Sequence, residues 1–193
     1  MFQPLLILSG AAFFISLKEV MLMKKMNFVQ ICKENKVICE TVRDLCVPYF
    51  EELNAHEGIV ESREVILDAI NKRIAIQGCR TDMHFEIAFH DNVAIGIAMF
   101  AIDLGTVRGL LERGYGTVME FYICPEYRRM DYGKEFWLHI ESILHNDGAT
   151  NCYVTPDSVT GIPFWINMDF EDSGLIDPDT KQPIYTKTIS KGA

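Results

Sequence analysis

Residues 83–102 hold two runs of strand-forming residues, MHFEIAFH and NVAIGIAMFAI, which meet at His90, Asp91 and Asn92. Runs so rich in Ile, Val and Phe favour extended backbone, and Asp-Asn between them is hairpin turn chemistry. Upstream the apolar period is helical instead. Over residues 37–53, Ile38, Val42, Leu45, Cys46, Tyr49 and Phe50 recur at helical spacing, although Pro48 argues for a kink or a break. Ser62 is placed to cap a second helix running to about Ile74, with Val65, Ile66, Ala69, Ile70 and Ile74 on one face. A change of period within one chain excludes all-α and all-β folds. Residues 28–32 read as a short opening strand.

After the hairpin comes a polar, glycine-bearing connection over residues 103–116, then the strand TVMEFYIC and a turn at Pro125, Glu126 and Tyr127. A helix over about 132–145 turns Phe136, Trp137, Ile140, Ile143 and Leu144 inward and ends near Gly148. ATNCYVTP is a strand, residues 162–168 a short helix and PIYTKTI a last strand. The expected order is β-α-α-β-β-β-α-β-α-β. That is an α/β (α+β) fold with a mixed sheet flanked by helices.

At 193 residues the chain is the size of about one domain and can bury a core without disulfide or metal staples. A net charge of −9 argues against nucleic-acid binding, where neutralising phosphates supplies most of the affinity. The six cysteines, at 32, 39, 46, 79, 124 and 152, include no C-x-x-C pair, which points to reduced thiols in a cytoplasmic protein and no structural zinc. Near the start, LLILSGAAFFISL is too short to span a bilayer, which takes about 20 residues. The leader MFQP also lacks the basic residues of a signal peptide. Residues 1–25 are therefore expected to be an apolar N-terminal extension, and 26–193 a single domain. The rival expectation is an apolar helix docked on the domain or on a second subunit of a homodimer.

Several motifs fail. Gly114-Tyr115-Gly116 starts like a dinucleotide fingerprint, but Met119 takes the third glycine's place and a strand follows. His84-Phe85-Glu86 matches the H-x-E of zinc deaminases without their P-C-x-x-C, so both residues are expected on one face of a strand. Cys124 is expected to be a buried strand-end thiol rather than a nucleophile.

One constellation survives. In TVMEFYICPEYRRMDYGKEFWLHI a strand runs through a turn into a helix N-terminus carrying Arg128 and Arg129. Unpaired amides and the positive dipole end make such a terminus an anion site. The alternative is that both arginines are solvated or paired with Glu126 and Asp131. The segment resembles the GNAT superfamily of acyl-CoA-dependent N-acetyltransferases, whose signature R/Q-x-x-G-x-G/A opens a helix after a strand. Here it reads Arg128-Arg129-Met130-Asp131-Tyr132-Gly133, after Pro125 and Tyr127 of the common P-x-Y lead-in. Downstream, SVTGIPFWINMDF resembles the family's second signature, with Ser158, Gly161, Phe164, Trp165, Asn167, Asp169 and Phe170 at its marked positions.

The resemblance implies transfer of an acetyl group from acetyl-CoA to a primary amine of a small molecule or peptide, by direct attack and without a metal. Its alternative is a GNAT-like CoA-binding or regulatory domain that has lost catalysis. Amides from Arg129, Met130, Asp131, Tyr132, Gly133 and Lys134, with Arg128, would hold the CoA pyrophosphate. The main chain of Tyr122, Ile123 and Cys124 would bond the pantetheine arm, and Ser158 and Phe164 would complete the cofactor site. Glu120 is the implied general base; otherwise it is a strand carboxylate facing solvent or pairing an arginine. Three departures stand out. Asp131 replaces a motif glycine: it can reach left-handed backbone, but at about 5 Å it repels each phosphate charge by about 3 kcal/mol, and it could cap the helix itself. Trp165 replaces the tyrosine that protonates the leaving thiolate, for which Tyr153 or Tyr132 would substitute unless the thiolate leaves unprotonated. Ser158 and Gly161 replace Asn and Ala. Specificity is expected in the loops at 53–62, 103–116 and 172–182.

Overall fold

The computed structural model describes residues 26–189, so the expected extension at 1–25 lies outside the described residues. A short strand β1 (Asn27–Gln30) leads into helices α1 (Lys36–Glu57) and α2 (Arg63–Ala75). The hairpin β2 (Met83–His90) and β3 (Val93–Asp103) follows, then β4 (Tyr115–Ile123), a 3-10 turn (Pro125–Tyr127) and α3 (Tyr132–Asn146). The chain ends in β5 (Asn151–Val154), α4 (Gly161–Asn167), β6 (Glu171–Ile176) and β7 (Pro183–Thr188). The seven strands form one sheet in the order β1-β2-β3-β4-β5-β7-β6, antiparallel throughout except where β4 meets β5.

The hairpin forms as its sequence dictates. His90 pairs with Val93, and Asp91 and Asn92 take φ of 48° and 63°, the two left-handed residues of a type I′ turn. Two expectations are corrected. Helix α1 runs through Pro48 without a break. Pro48 and Asp44 are both exposed, so the Asp44 carbonyl that loses its partner faces water rather than the core. The sheet also gains β6, which has no apolar alternation because it is an edge strand with all but Ser173 exposed.

A core lies on each face of the sheet. Phe136, Trp137, Ile140 and Leu144 of α3 pack with Ile95, Phe100 and Val118 on one side, joined by Trp165 and Phe170. Val42 and Cys46 of α1 and Ile66 and Ile70 of α2 pack on Phe85, Ile87, Ile97 and Met99 on the other. Each such large side chain contributes about 1.5–3 kcal/mol of burial. The H-x-E residues share a face of β2 and clasp α3: His84 Nε2 lies 2.7 Å from Asp147 Oδ2, and Glu86 Oε2 2.7 Å from His139 Nε2. These pairs are structural and leave the motif no catalytic duty.

Candidate active site

Strands β4 and β5 pair only between residues 116–118 and 152–154. Beyond Val118, β4 continues to Ile123 while β5 stops and the chain turns toward α4. Met119 is skipped in the pairing with β3, where Met99 faces Glu120 and Phe100 faces Val118. That bulge bends β4 away from β5. The wedge between them opens into a cleft of about 1000 Å³, lined by β4, the start of α3, the 154–168 segment and the C-terminal half of α1.

Along the splayed strand the main chain alternates. The Cys124 amide donates to Ile95 O on β3 at 2.8 Å, so the Ile123 amide and carbonyl point the other way, into the cleft. The Ile123 carbonyl already accepts from Arg128 Nε at 2.8 Å. Of the three residues expected to offer main chain, Ile123 therefore presents a free N–H, while Tyr122 lines the cleft with its ring and Cys124 lies outside it.

At the far end of that strand, Arg129 and Asp131 both adopt left-handed backbone, with φ of 63° and 64°. Asp131 is the N-cap residue of α3, yet its side chain makes no capping bond. The first intrahelical bond runs from the Glu135 amide to Asp131 O at 3.0 Å, which leaves the amides of Tyr132, Gly133 and Lys134 without helical acceptors. Asp131, Gly133 and Lys134 line the cleft, as does Arg129. Among the described residues, neither Arg129 nor Lys134 is within ion-pair distance of a carboxylate. A Cβ on Gly133 would stand 3.0 Å from Phe164 Cε2, so glycine lets the helix start close on the ring of Phe164, itself stacked on Phe121.

Arg128 is spent differently. Its Nη1 and Nη2 donate to both oxygens of Glu52, at 2.8 and 2.7 Å, so it ties the turn to α1. Met130 is exposed, and Tyr132 packs against the ring of His90. Ser158 is exposed in the turn before α4 and stays outside the cleft, whereas Phe164 lines it. Next to Ser158, Asp157 organises that turn, accepting from the amides of Val159, Thr160 and Gly161 at 2.8–2.9 Å. Burial opposes its ionisation, but those amides prevail and hold its carboxyl below the ordinary range.

The opposite end of the cleft centres on Glu120, which is only 7% exposed. Its Oε1 accepts from Arg73 Nε at 2.7 Å and Nη2 at 2.6 Å, and its Oε2 accepts from the Tyr49 hydroxyl at 2.9 Å. Of the two expectations for this carboxylate off the chemistry, the arginine partner is present and the solvent-facing one is not. Burial, then the Glu120 charge, raises the Tyr49 phenol well above its ordinary value. Sequence reasoning passed over both partners. Tyr49 reads as one more member of an apolar stripe, and nothing in the sequence singles out Arg73. Arg108 from the β3–β4 loop also reaches the cleft, bonded to the fully buried Asp177.

Tyr153 is a correction. Its side chain is buried outside the cleft, where its hydroxyl donates to Asp103, and burial with that bond raises its phenol far above the ordinary range. Strand alternation puts Val154, not Tyr153, at the cleft. Trp165 belongs to the aromatic core, edge-on to Trp137 and Phe170.

Residues 41–170 match the Acetyltransferase (GNAT) family in sequence. The chain belongs to the GNAT acetyltransferase family. No curated protein matches this acetyltransferase in sequence. Its fold is that of the PaiA N-acetyltransferase from Thermoplasma acidophilum in complex with coenzyme A, at TM-score 0.62 and 20% identity over 85% of this chain and 99% of that one. A GNAT acetyltransferase from Staphylococcus aureus Mu50 shares it at TM-score 0.64 and 13% identity, over 86% and 100%. So does an aminoglycoside 6'-N-acetyltransferase complexed with coenzyme A, at TM-score 0.61 and 11% identity over 86% and 99%. Among the described residues of the acetyltransferase, no group of three or more His, Cys, Asp or Glu side chains could hold a metal ion, and no helix is long and apolar enough to cross a membrane.

Proposed function

We propose that this acetyltransferase moves the acetyl group of acetyl-CoA to a primary amine of a small molecule or peptide, by direct attack and with no acyl-enzyme. The observation that carries the reading is one splayed strand joining a helix start with unpaired amides to a buried carboxylate. The free amides at the start of α3, with Arg129 and Lys134, suit a pyrophosphate. Asp131 leaves those amides uncovered, which answers the concern that it closes the site itself. The cleft between β4 and α4 takes an extended pantetheine arm, and the Ile123 N–H is aimed to polarise a thioester carbonyl. Arg128 acts by fixing the turn to α1 rather than by touching phosphate.

Attack makes the nitrogen positive and acidic, and Glu120 is the base that receives its proton. Arg73 beside it holds that carboxylate in place with two hydrogen bonds. The net charge of −9 draws a cationic amine, and amine acylation by the aminoglycoside 6'-N-acetyltransferase of like fold supports a small-molecule acceptor. Six free thiols fit a reducing cytoplasm. The exposed edge strand β6, with Leu175 and Ile176 outward, offers a homodimer contact.

A rival reading, a CoA-binding domain without catalysis, draws on the absence of a tyrosine at Trp165 and the burial of Tyr153. Calorimetry with acetyl-CoA, free CoA and ATP, followed by an amine screen, separates the two. Micromolar binding of acetyl-CoA but not ATP, and turnover abolished by Glu120→Gln, is the expected result. Binding without turnover of any amine favours the rival, and no binding at millimolar acetyl-CoA defeats both.

A further inference from the structure

Glu120 has little room for a substrate. Arg73 places two donors on Oε1 and Tyr49 one on Oε2, and the carboxylate is nearly buried. Tyr49 lines the same cleft, about as buried as Glu120, and its hydroxyl donates to Glu120 Oε2 at 2.9 Å. We propose that Tyr49 is a catalytic residue of this acetyltransferase, the group that meets the attacking nitrogen and relays its proton to Glu120. The proposal rests on the acetyltransferase reading above.

The amine nitrogen bonds to the thioester carbonyl carbon and becomes positively charged. A proton then passes from nitrogen to Tyr49 Oη as the Tyr49 proton passes to Glu120 Oε2. The C–S bond breaks, and its electron pair leaves on sulfur. The products are the amide, the CoA thiolate, a neutral Tyr49 and a protonated Glu120. The proton then returns through Tyr49 to the thiolate, since a thiolate is the stronger base of the two. One hydroxyl thereby serves both transfers, which removes the need for an acid at the position Trp165 occupies. Because the proton crosses in both directions through a hydroxyl that is never left ionised, the raised phenol value is compatible with the relay. Arg73, the carboxylate's other partner, has its guanidinium 4.8 Å from the Phe50 ring and is thereby held in place.

The test uses the full chain and an amine that it acetylates. Tyr49→Phe keeps the ring and its packing against Tyr122 while removing the hydroxyl. The expected result is a fall in kcat of about 100-fold, with acetyl-CoA affinity by calorimetry within twofold of the parent. In mixed H2O and D2O, the parent kcat should follow a bowed curve from two protons in flight, and the variant's residual kcat a straight line. A Tyr49→Phe kcat within threefold of the parent overturns the relay and leaves the acetyltransferase reading intact. A straight-line parent curve overturns it too, and this measurement needs no variant to fold. A parent that binds acetyl-CoA yet acetylates no amine overturns the reading itself, and the relay with it.

Discussion

The two ends of the cleft are built on opposite principles. The α3 end is made of main chain: three amides that no helix can satisfy, two positive-φ residues and two cations with no carboxylate partner among the described residues. The Glu120 end is made of side chains already committed to one another, with the Tyr49 hydroxyl and the Nε and Nη2 of Arg73 aimed at a buried carboxylate. Unspent groups at one end suit a site for holding a charged ligand, since nothing need be broken before it binds. Spent groups at the other suit a site for moving protons, where geometry must be held fixed.

That contrast gives an asymmetric pair of variants, and the largest expected effects. Arg73→Ala strips the cation from a nearly buried carboxylate and should destabilise the fold by about 3 kcal/mol. Arg129→Ala, an exposed and unpaired cation, should change stability by less than about 0.5 kcal/mol and instead weaken CoA binding about 10-fold. Urea unfolding and calorimetry read the two. Equal losses of stability would erase the distinction between the ends.

Asp103→Asn is expected next, at about 2 kcal/mol, because it removes a charged acceptor from the Tyr153 hydroxyl and the Gly105 and Gly109 amides. Burial opposes ionisation of Asp103, but those donors prevail and hold its carboxyl below the ordinary value. A depressed folded value means that this stability is fully present above the unfolded pKa of about 3.9 and is lost as pH falls through the folded one. The gap in urea midpoint between parent and variant should thus be constant at neutral pH and close below about pH 4. A gap that widens on acidification would show that Asp103 is not the charged partner.

At the α3 end, Asp131→Gly relieves both a left-handed backbone and a carboxylate beside the unpaired amides. It should stabilise the fold by under about 1 kcal/mol and tighten CoA binding about 10-fold. Unchanged affinity would mean that solvent already screens the carboxylate. The smallest effect is expected for Gly133→Ala, whose Cβ must displace Phe164 by a few tenths of an ångström and should weaken CoA binding about threefold.

Much of the fold was legible because it is local. Apolar periods name the hairpin, α2 and α3, and the turn residues Asp91 and Asn92 and the N-cap Ser62 mark ends. What escaped was whatever depends on a neighbour. Strand β6 carries no apolar pattern, since an edge with exposed faces needs none. Pro48 signals a break that exposure of the Asp44 turn makes unnecessary. Tyr153 has the right chemistry for an acid and points the wrong way, because pairing of β5 with β4 sets which residues face the cleft.

The α3 end and the Glu120 end divide along the same line. By itself the sequence determined the strand–turn–helix that carries the unpaired amides, because helix-end amides and turn conformations depend on residues within a few positions of one another. Only the tertiary structure decided what Glu120 is. Tyr49 lies 71 residues away along the chain and Arg73 47, and they meet Glu120 because two helices cross one face of a bulged strand. No pattern in the chain encodes that meeting, since each partner obeys the periodicity of its own helix.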